Sequence, residues 1–324
     1  MQKTILIPGG AGYIGSHTAY LMQKLGYKII ILDKFIHNQK FDHNWATVIK
    51  ADFADKNILE QIFTENNIEA VMHFAAFIEV GESVKKPKDF YENNVIKTLN
   101  LLDTMLKYNV KKFVFSSSCA VYGNPIKLPL DENHPTNPIS PYGKNKLIVE
   151  FALQDYFNAY NLQYVSLRYF NAAGALPTIG LGEQHNPETH IIPLILRAIK
   201  NKKIFKIFGS NYNTPDKTCI RDYIHVLDIA QAHVLALKYL ENTARSNIFN
   251  LGTGHGYSVK EMVEHAQKIC KQELLIENCD ARAGDVDILV ANYNKAKENL
   301  GWEPKFSSLD NILQSALEWE NRIK

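Results

Sequence analysis

Short apolar runs alternate with helix-periodic segments through the first half of the chain. Residues 3–7 form an apolar run, and apolar positions then recur at helical spacing until Gly26. The same pattern predicts further strands at 28–32, 47–51, 70–75, 110–118 and 163–169, and helices at 56–65, 95–108 and 142–160. This alternation predicts an α/β fold, a doubly wound parallel sheet of Rossmann type.

The composition of the sequence changes after residue 170. Connections rich in Gly and Pro follow, before a predicted helix at 193–200. A chain of 324 residues, 46% of them hydrophobic, exceeds the usual size of one domain. We therefore expect the sheet to be complete near residue 170. We assign residues 1–170 to a first domain and residues 171–324 to a smaller C-terminal α/β domain, some segments of which pack back on the first.

Charge balance and cysteine usage narrow the class of protein. The net charge is +2, with 36 basic and 34 acidic residues, so neither a nucleic acid nor a membrane is expected as a partner. The four cysteines have no C-x-x-C spacing, so we interpret them as reduced, and we expect no metal site. The sequence has no leader pattern and no apolar run of about 18 residues, which predicts a soluble cytoplasmic protein.

Glycines 9, 12 and 15 separate the first predicted strand from the first predicted helix. A strand, glycine turn and helix in this order let the backbone approach a pyrophosphate at the helix N-terminus. Asp33 follows Gly15 by eighteen residues and ends the next strand, where a carboxylate binds a ribose diol and repels a 2′-phosphate. This pattern favours NAD over NADP, although Lys34 would weaken the preference. A turn with purely structural glycines is the alternative.

Other polar residues near predicted strand ends are candidates for binding. Asp52 follows a predicted strand, where it either meets the adenine amino group or caps the next helix. Arg221 and Arg282 lie in compact polar clusters, and a planar guanidinium suits phosphate. Ordinary surface salt bridges are the alternative for both arginines.

The stretch SPYGKNK supplies the candidate chemistry. Tyr142 and Lys146 lie four residues apart, on one face of the predicted helix. An ammonium on that face lowers the pKa of the phenol, which must approach neutral pH for the tyrosine to accept a proton. The hydroxyl cluster at 116–118 ends a buried strand and is expected at the carboxyl edge of the sheet. A solvated surface helix is the alternative.

Eight sequence blocks across the whole chain resemble the extended short-chain dehydrogenase/reductases, and among them the UDP-glucose (UDP-galactose) 4-epimerases. The blocks are GGAGYIGSH from Gly9, VGES from Val80, SSSCAVYG from Ser116, SPYGKNK from Ser140, RYFN from Arg168, TCIRDYIHV from Thr218, NLGTG from Asn250 and RAGD from Arg282. The resemblance implies an isomerase with tightly bound NAD that interconverts UDP-glucose and UDP-galactose through a transient 4-keto sugar. It also implies a homodimer with an NAD-binding first domain and a second domain that binds the UDP-hexose substrate.

The resemblance implies a role for each matching residue. Tyr142 takes the proton of the sugar's 4-hydroxyl, Lys146 holds the pKa of Tyr142 down, and Ser118 hydrogen-bonds the reacting oxygen, so these three are the implied catalytic residues. The implied NAD-binding residues are Gly9, Gly12, Tyr13, Ile14, Gly15, Asp33, Asp52, Phe53, Phe74, Ala75, Asn94, Tyr142 and Lys146. The implied substrate-binding residues are Ser118, Tyr142, Tyr169, Asn171, Phe208, Arg221, Arg282, Asp285 and Leu289.

Three positions depart from the family's pattern. Pro8 replaces a common threonine, which we expect to be harmless, and Ile78 replaces a lysine that contacts the cofactor in some members. Leu289 stands where a tyrosine closes the sugar pocket in some relatives. We therefore expect UDP-N-acetylglucosamine to be a substrate as well, with simple core packing of Leu289 as the alternative.

Other functions fit these motifs less well. A UDP-uronate or UDP-pentose 4-epimerase differs only at a few pocket residues and stays open as an alternative. A nucleotide-sugar dehydratase would need an acid after Ser118, where Cys119 and Ala120 stand. An NAD-sensing regulatory protein, from a different class, would have little use for Ser118, Tyr142 and Lys146 together.

Overall fold

Seven parallel strands form the central sheet of the computed structural model, which describes residues 2–36, 41, 43–281 and 286–323. Three smaller sheets contain the remaining named strands. In chain order the strands are β1 (Thr4–Pro8), β2 (Lys28–Asp33), β3 (Thr47–Lys50), β4 (Ile68–His73), β5 (Lys112–Ser118), β6 (Gln163–Tyr169), β7 (Asn171–Ala173), β8 (Phe205–Phe208), β9 (Ile220–Arg221), β10 (Tyr223–His225), β11 (Asn247–Leu251), β12 (Tyr257–Ser258), β13 (Ile276–Cys279) and β14 (Ile288–Leu289).

The order of the central sheet fixes where a ligand can bind. Its strands lie side by side as β11-β6-β5-β4-β1-β2-β3. The chain adds strands on one side of β1 up to β3 and then on the other side from β4 onward. In an open parallel sheet, the carboxyl ends of the two strands at such a reversal flank a binding crevice. The order confirms the doubly wound, Rossmann-like fold class.

Helices cover both faces of this sheet. Their bounds are α1 (Tyr13–Lys24), α2 (Lys56–Glu65), α3 (Val80–Lys85), α4 (Pro87–Tyr91), α5 (Lys97–Lys107), α6 (Pro141–Tyr160), α7 (Ile191–Lys200), α8 (Val226–Thr243), α9 (Val259–Cys270), α10 (Asn294–Leu300) and α11 (Leu309–Arg322). Ile5 and Ile7 of β1 pack with α1 and α8, whereas Leu6 packs with α2, α5 and α6. Because successive strand residues point to opposite faces, one apolar run supplies both cores.

The central sheet contains one strand more than the sequence predicted. We expected the sheet to be complete near residue 170, but β11 pairs in parallel with β6, from Asn247↔Val165 to Leu251↔Tyr169. Helix α8 leads into β11 and packs on the same face as α1. The sequence interpretation did not include β11 in the central sheet, because this strand follows the change in composition at residue 170 and lies in the stretch that we assigned to the second domain.

The bounds of several elements also differ from those predicted. The helix predicted at 95–108 is a π-helical turn, Glu92–Ile96, followed by α5. Strand β4 begins and ends two residues earlier than predicted, and β5 begins at Lys112. Helix α2 and strand β6 have the predicted bounds.

A second core lies beyond the central sheet. Side chains of α7, α9 and α11 surround β8 in it, among them Ile195, Met262 and Ile312. The small sheets pair β7 with β10, β8 with β13, and β9 with both β12 and β14. Within the described ranges, no helix is long and apolar enough to cross a bilayer.

Candidate active site

A cavity of about 980 Å³ opens at the carboxyl edge of the central sheet. The turn after β1 and the ends of β2, β4 and β5 line one side, and β8, β9 and β14 line the other. Binding pockets for small molecules typically reach about 1,000 Å³, so the cavity is at the large end of that range. It has room for more than one small ligand.

The glycine turn lies against the cavity in a conformation that needs glycine. Gly9 has φ +76°, and a Cβ there would lie 2.3 Å from the backbone nitrogen of Ala75. A Cβ on Gly15 would lie 2.3 Å from the carbonyl oxygen of Gly9. Gly12 is the N-cap residue of α1 and supplies no side-chain cap, and the first residues of the helix, Tyr13 to Gly15, line the cavity. These features fit a pyrophosphate at the positive end of the helix.

The end of β2 supplies the carboxylate expected beside a ribose. Asp33 lines the cavity, where its carboxylate accepts hydrogen bonds from the amides of Ala11 (3.1 Å) and Phe35 (2.8 Å). Lys34 lines the cavity as well. Donors from the turn and the following loop therefore fix Asp33 at the cavity edge.

Two predicted cofactor residues do not line this cavity. Asp52 accepts from Lys34 Nζ (3.0 Å), Lys97 Nζ (2.5 Å) and the amide of Ala54, while its neighbour Phe53 lines the cavity. Burial would raise the pKa of Asp52, but these hydrogen bonds lower it. The carboxylate is thus engaged in ion pairs and a local turn.

Asn94 acts on the cavity through the backbone of Phe77. Its amide group accepts from the nitrogen of Phe77 (2.8 Å) and donates to the oxygen of the same residue (2.9 Å). Phe77 lines the cavity, as do Asn93 and the predicted residues Phe74 and Ala75. Asn94 therefore fixes the wall that follows β4.

Ser118, Tyr142 and Lys146 meet at the floor of the cavity. Ser118 ends β5 and Tyr142 lies in the first turn of α6, which begins after the capping residue Ser140. The exposed fractions are 8% for Ser118, 9% for Tyr142 and 5% for Lys146. Burial raises the pKa of Tyr142, and a hydrogen bond with Ser118 opposes that shift. The structure thus brings together all three predicted catalytic side chains.

Burial dominates the pKa of both titratable groups on the floor. It raises the pKa of Tyr142 and lowers the pKa of Lys146 to about 7, with Glu150 opposing the latter shift. We expected Lys146 to lower the pKa of Tyr142, but its ammonium lies 5.7 Å from the phenol ring centroid and donates to the carbonyl of Ser116 at 2.7 Å. Desolvation therefore favours the neutral form of each group.

A buried ion pair between Glu150 and Arg168 packs beside the floor residues. Glu150 follows Lys146 by one helical turn. Its carboxylate accepts hydrogen bonds from Arg168 Nε at 2.9 Å and Nη2 at 2.6 Å. Ser117 donates to the same carboxylate at 2.6 Å, and Arg168 Nη1 donates to the hydroxyl of Tyr122 at 3.0 Å. Both charged residues are at most 4% exposed. The pair therefore fastens α6 to β5 and β6.

The other predicted substrate residues lie around the cavity. Tyr169, Asn171, Phe208, Arg221 and Leu289 all line it. Asn171 is held by its side-chain donation to the carbonyl of Asp222, at 2.9 Å. Leu289 also packs against a small cluster that includes Tyr122 and Phe170. Arg282 and Asp285 lie outside the described residues.

The sequence interpretation missed one polar group on the cavity wall. Glu183, His185 and His190 line the cavity just before α7. Burial would raise the pKa of Glu183, but hydrogen bonds from His185 and His190 lower it to about 2. Burial would lower the pKa of His190, but Glu183 and Glu188 raise it to about 10. The spacing E-x-H-x-x-E-x-H was the available signal.

Comparison with known proteins agrees with this geometry. The sequence pattern of the NAD dependent epimerase/dehydratase family matches residues 5–252. The chain belongs to this family. It is 47% identical over 322 residues to a Rhizobium meliloti (strain 1021) protein named UDP-glucose 4-epimerase, which covers 99% of this chain and 98% of the relative.

Solved structures of family members superpose on nearly the whole chain. A Brucella ovis UDP-glucose 4-epimerase in complex with NAD has a TM-score of 0.93 and 42% identity, with 97% of each chain covered. A UDP-Glc/GlcNAc 4-epimerase from Campylobacter jejuni has a TM-score of 0.85 and 39% identity, with 99% of each chain covered.

We predict that Arg168→Met destabilises the protein by about 3–5 kcal/mol, because it leaves the Glu150 carboxylate buried without its partner. The double variant Glu150→Leu/Arg168→Met should lose less, since it removes both charges. The free energy of unfolding from urea titration measures both effects. Lys107→Met is the control, because it breaks an exposed pair with Glu60 and should leave the urea midpoint unchanged. A cost for Arg168→Met no larger than the control's would contradict the prediction.

Proposed function

We propose that this protein is an NAD-dependent UDP-glucose 4-epimerase, which interconverts UDP-glucose and UDP-galactose through a 4-keto sugar. One observation carries the proposal: Ser118, Tyr142 and Lys146 line the same cavity as the glycine turn. A cavity with a proton-transfer group on one wall and a dinucleotide turn on another suits removal of a proton and a hydride from one alcohol carbon.

Residues around the first half of the cavity hold the cofactor. The glycine turn with Tyr13 and Ile14 receives the pyrophosphate, and Asp33 accepts hydrogen bonds from a ribose diol. Phe53, Phe74 and Ala75 form the apolar wall beside them. Bound there, NAD would supply the hydride acceptor and donor for C4 of the sugar and a positive charge near Tyr142.

The residues on the floor move the proton. Tyr142 takes the proton from the oxygen on C4 and later returns it, while Ser118 hydrogen-bonds that oxygen and relays the proton. Lys146 donates to the carbonyl of Ser116 at 2.7 Å, which holds its ammonium 5.7 Å from the centroid of the phenol ring. Because burial keeps the free phenol protonated, additional positive charge beside Tyr142 is needed before it can act as a base.

The second half of the cavity binds the UDP-sugar. We assign residues 171–324 to a substrate domain, with α8 and β11 packing back on the NAD domain of residues 1–170. Arg221 and Phe208 grip the nucleotide, together with Arg282 and Asp285, and Tyr169 and Asn171 face the sugar. Tight binding of UDP and weak binding of the hexose let the 4-keto sugar rotate, so that either face of the ketone can lie against the cofactor.

An apolar surface supports a homodimer. Ile96, which ends the π-helical turn before α5, is 47% exposed. Ile148 and Phe151 of α6 are 36% and 59% exposed. Clustered exposed apolar side chains are typical of an interface, and a second copy of this chain is the proposed partner. We also propose that the enzyme works in the cytoplasm, because its four cysteines are free.

We predict that the purified protein carries NAD and converts UDP-galactose to UDP-glucose without net release of NADH. Tyr142→Phe should lower turnover at least about a hundredfold, because a positioned acid–base group is lost. Tyr20→Phe is the matched control, since Tyr20 and Lys24 have the same spacing outside the cavity lining. Stoichiometric NADH production would favour a dehydrogenase, and an unchanged turnover in Tyr142→Phe would mean that another group moves the proton.

We predict that Asp33→Ala weakens NAD binding and narrows the preference for NAD over NADP. The ribose diol loses its acceptor, and a 2′-phosphate is no longer repelled. Calorimetric titration of the cofactor-stripped protein measures both affinities. Asp33→Asn is the control for the loop, because it keeps a side-chain acceptor for a backbone amide while removing the charge. An unchanged NAD/NADP ratio in both variants would place Asp33 away from the cofactor.

We predict that Phe151→Asp produces a monomer, because a charge at an apolar interface is not compensated. Light scattering during gel filtration gives the mass of each species. Ile126→Asp is the control, since Ile126 is 81% exposed and lies outside α5 and α6. A wild-type monomer, or a Phe151→Asp dimer, would rule out this interface.

We predict that the enzyme also epimerises UDP-N-acetylglucosamine, because Leu289 leaves room for the larger 2-substituent while the hexose turns over. Leu289→Tyr should abolish that activity and retain activity on UDP-glucose, since a steric wall discriminates sharply. Leu289→Met is the control for packing, because it nearly conserves volume. A parallel loss of both activities in Leu289→Tyr would show that the residue is structural. Including UDP-glucuronate and a UDP-pentose in the panel tests the alternative substrates.

A further inference from the structure

We propose that Glu183, His185, Glu188 and His190 form a structural zinc site in the cavity wall. Each residue offers one ligand atom, and the four atoms lie within 4.8 Å of one another. All four residues belong to one segment of eight residues before α7. We call this segment, residues 183–190, the wall segment.

The distances between the ligand atoms suit a tetrahedral ion. His185 Nδ1 lies 3.3 Å from Glu183 Oε1, and His190 Nδ1 lies 2.7 Å from the same oxygen and 3.2 Å from Glu188 Oε1. With metal–ligand distances near 2.0–2.1 Å, the edges of a tetrahedron measure about 3.3 Å. Small side-chain shifts therefore suffice to admit the ion.

The charges of the wall segment call for a divalent cation. Glu183 and Glu188 bring two carboxylates whose side chains are 8% and 4% exposed. The nearby guanidinium of Arg197 is committed to Glu320, through bonds of 2.9 and 2.8 Å. At 3.5 Å, Arg197 Nη2 balances the charge of Glu188 only in part, and a divalent ion between the four ligands would balance the rest.

One carboxylate oxygen in the wall segment lacks a hydrogen bond. Glu188 Oε2 is buried and accepts none from the part of the chain that the structure describes. Its nearest cation is Arg197 Nη2, at 3.5 Å. Buried carboxylate oxygens are normally satisfied, so this atom is available to a ligand that replaces the missing donor.

The ligand types select zinc among the common cations. Two imidazoles with two carboxylates suit Zn²⁺, whereas Ca²⁺ and Mg²⁺ prefer oxygen ligands alone. Four protein ligands complete the tetrahedral shell, which makes the site structural rather than catalytic. The ion would stiffen the wall segment, whose far side is already held by the bond from Trp319 Nε1 to the carbonyl of Glu183, at 2.7 Å.

The test measures zinc on the full-length chain without a histidine tag. The protein is stripped with a chelator, reloaded with zinc and separated from free metal, and bound zinc is counted by mass spectrometry. We expect one zinc ion per chain and a rise in melting temperature on reloading, because a ligand that binds only the folded state stabilises it. No retained zinc would overturn the proposal and leave His190 as a protonated donor between two carboxylates.

Variants identify the ligands. His185→Asn and Glu188→Gln should each weaken zinc binding at least about tenfold, as losses around metal sites do. His255→Asn and Glu264→Gln are the matched controls, because both residues are exposed and lie outside the wall segment. Wild-type zinc affinity in both ligand variants would refute the assignment. Circular dichroism checks folding, and the Co²⁺ spectrum of the wild type gives a second readout: a tetrahedral spectrum supports the site and an octahedral one refutes it.

Discussion

The buried pair between Glu150 and Arg168 is the interaction on which the candidate active site depends. Glu150 belongs to the helix that carries Tyr142 and Lys146, and Arg168 belongs to β6. Through Ser117 and Tyr122 the same network reaches β5 and the side chain of Asn250 in β11. Two buried charges are costly unless they are paired, so the pair is stable only when helix and strands are in register. The position of the proton-transfer groups is therefore coupled to the folding of the sheet.

The fold could be predicted where it follows from local sequence. Alternating apolar runs and amphipathic segments fix β1 to β6, since each strand and the helix after it are neighbours in sequence. Strand β11 could not be found in this way. It joins the sheet only because α8 packs beside α1, and neither the pairing with β6 nor that packing leaves a local pattern in the sequence.

The site shows the same division between local and distant determinants. The glycine turn and the Tyr142/Lys146 pair are short motifs whose geometry follows from one turn and one helix, and both line the cavity. The partners of Asp52 and Lys146 are set by tertiary packing, so sequence alone could not show that Asp52 pairs with Lys34 and Lys97 or that Lys146 donates to the carbonyl of Ser116. The wall segment was missed because it lies in a connection without periodicity, where only the spacing of four polar residues marks it.

Burial has the largest effect on the pKa values of both Tyr142 and Lys146. Desolvation raises the pKa of a phenol and lowers that of an ammonium, so burial shifts both groups towards their neutral forms. Glu150 partly restores the ammonium, but the phenol gains only one opposing hydrogen bond, from Ser118. A cation beside Tyr142 would oppose the effect of burial and lower the pKa of the phenol, which is the direction that a general base requires. Burial therefore keeps the Tyr142 phenol protonated, so the proposed base needs more positive charge beside it than Lys146 provides.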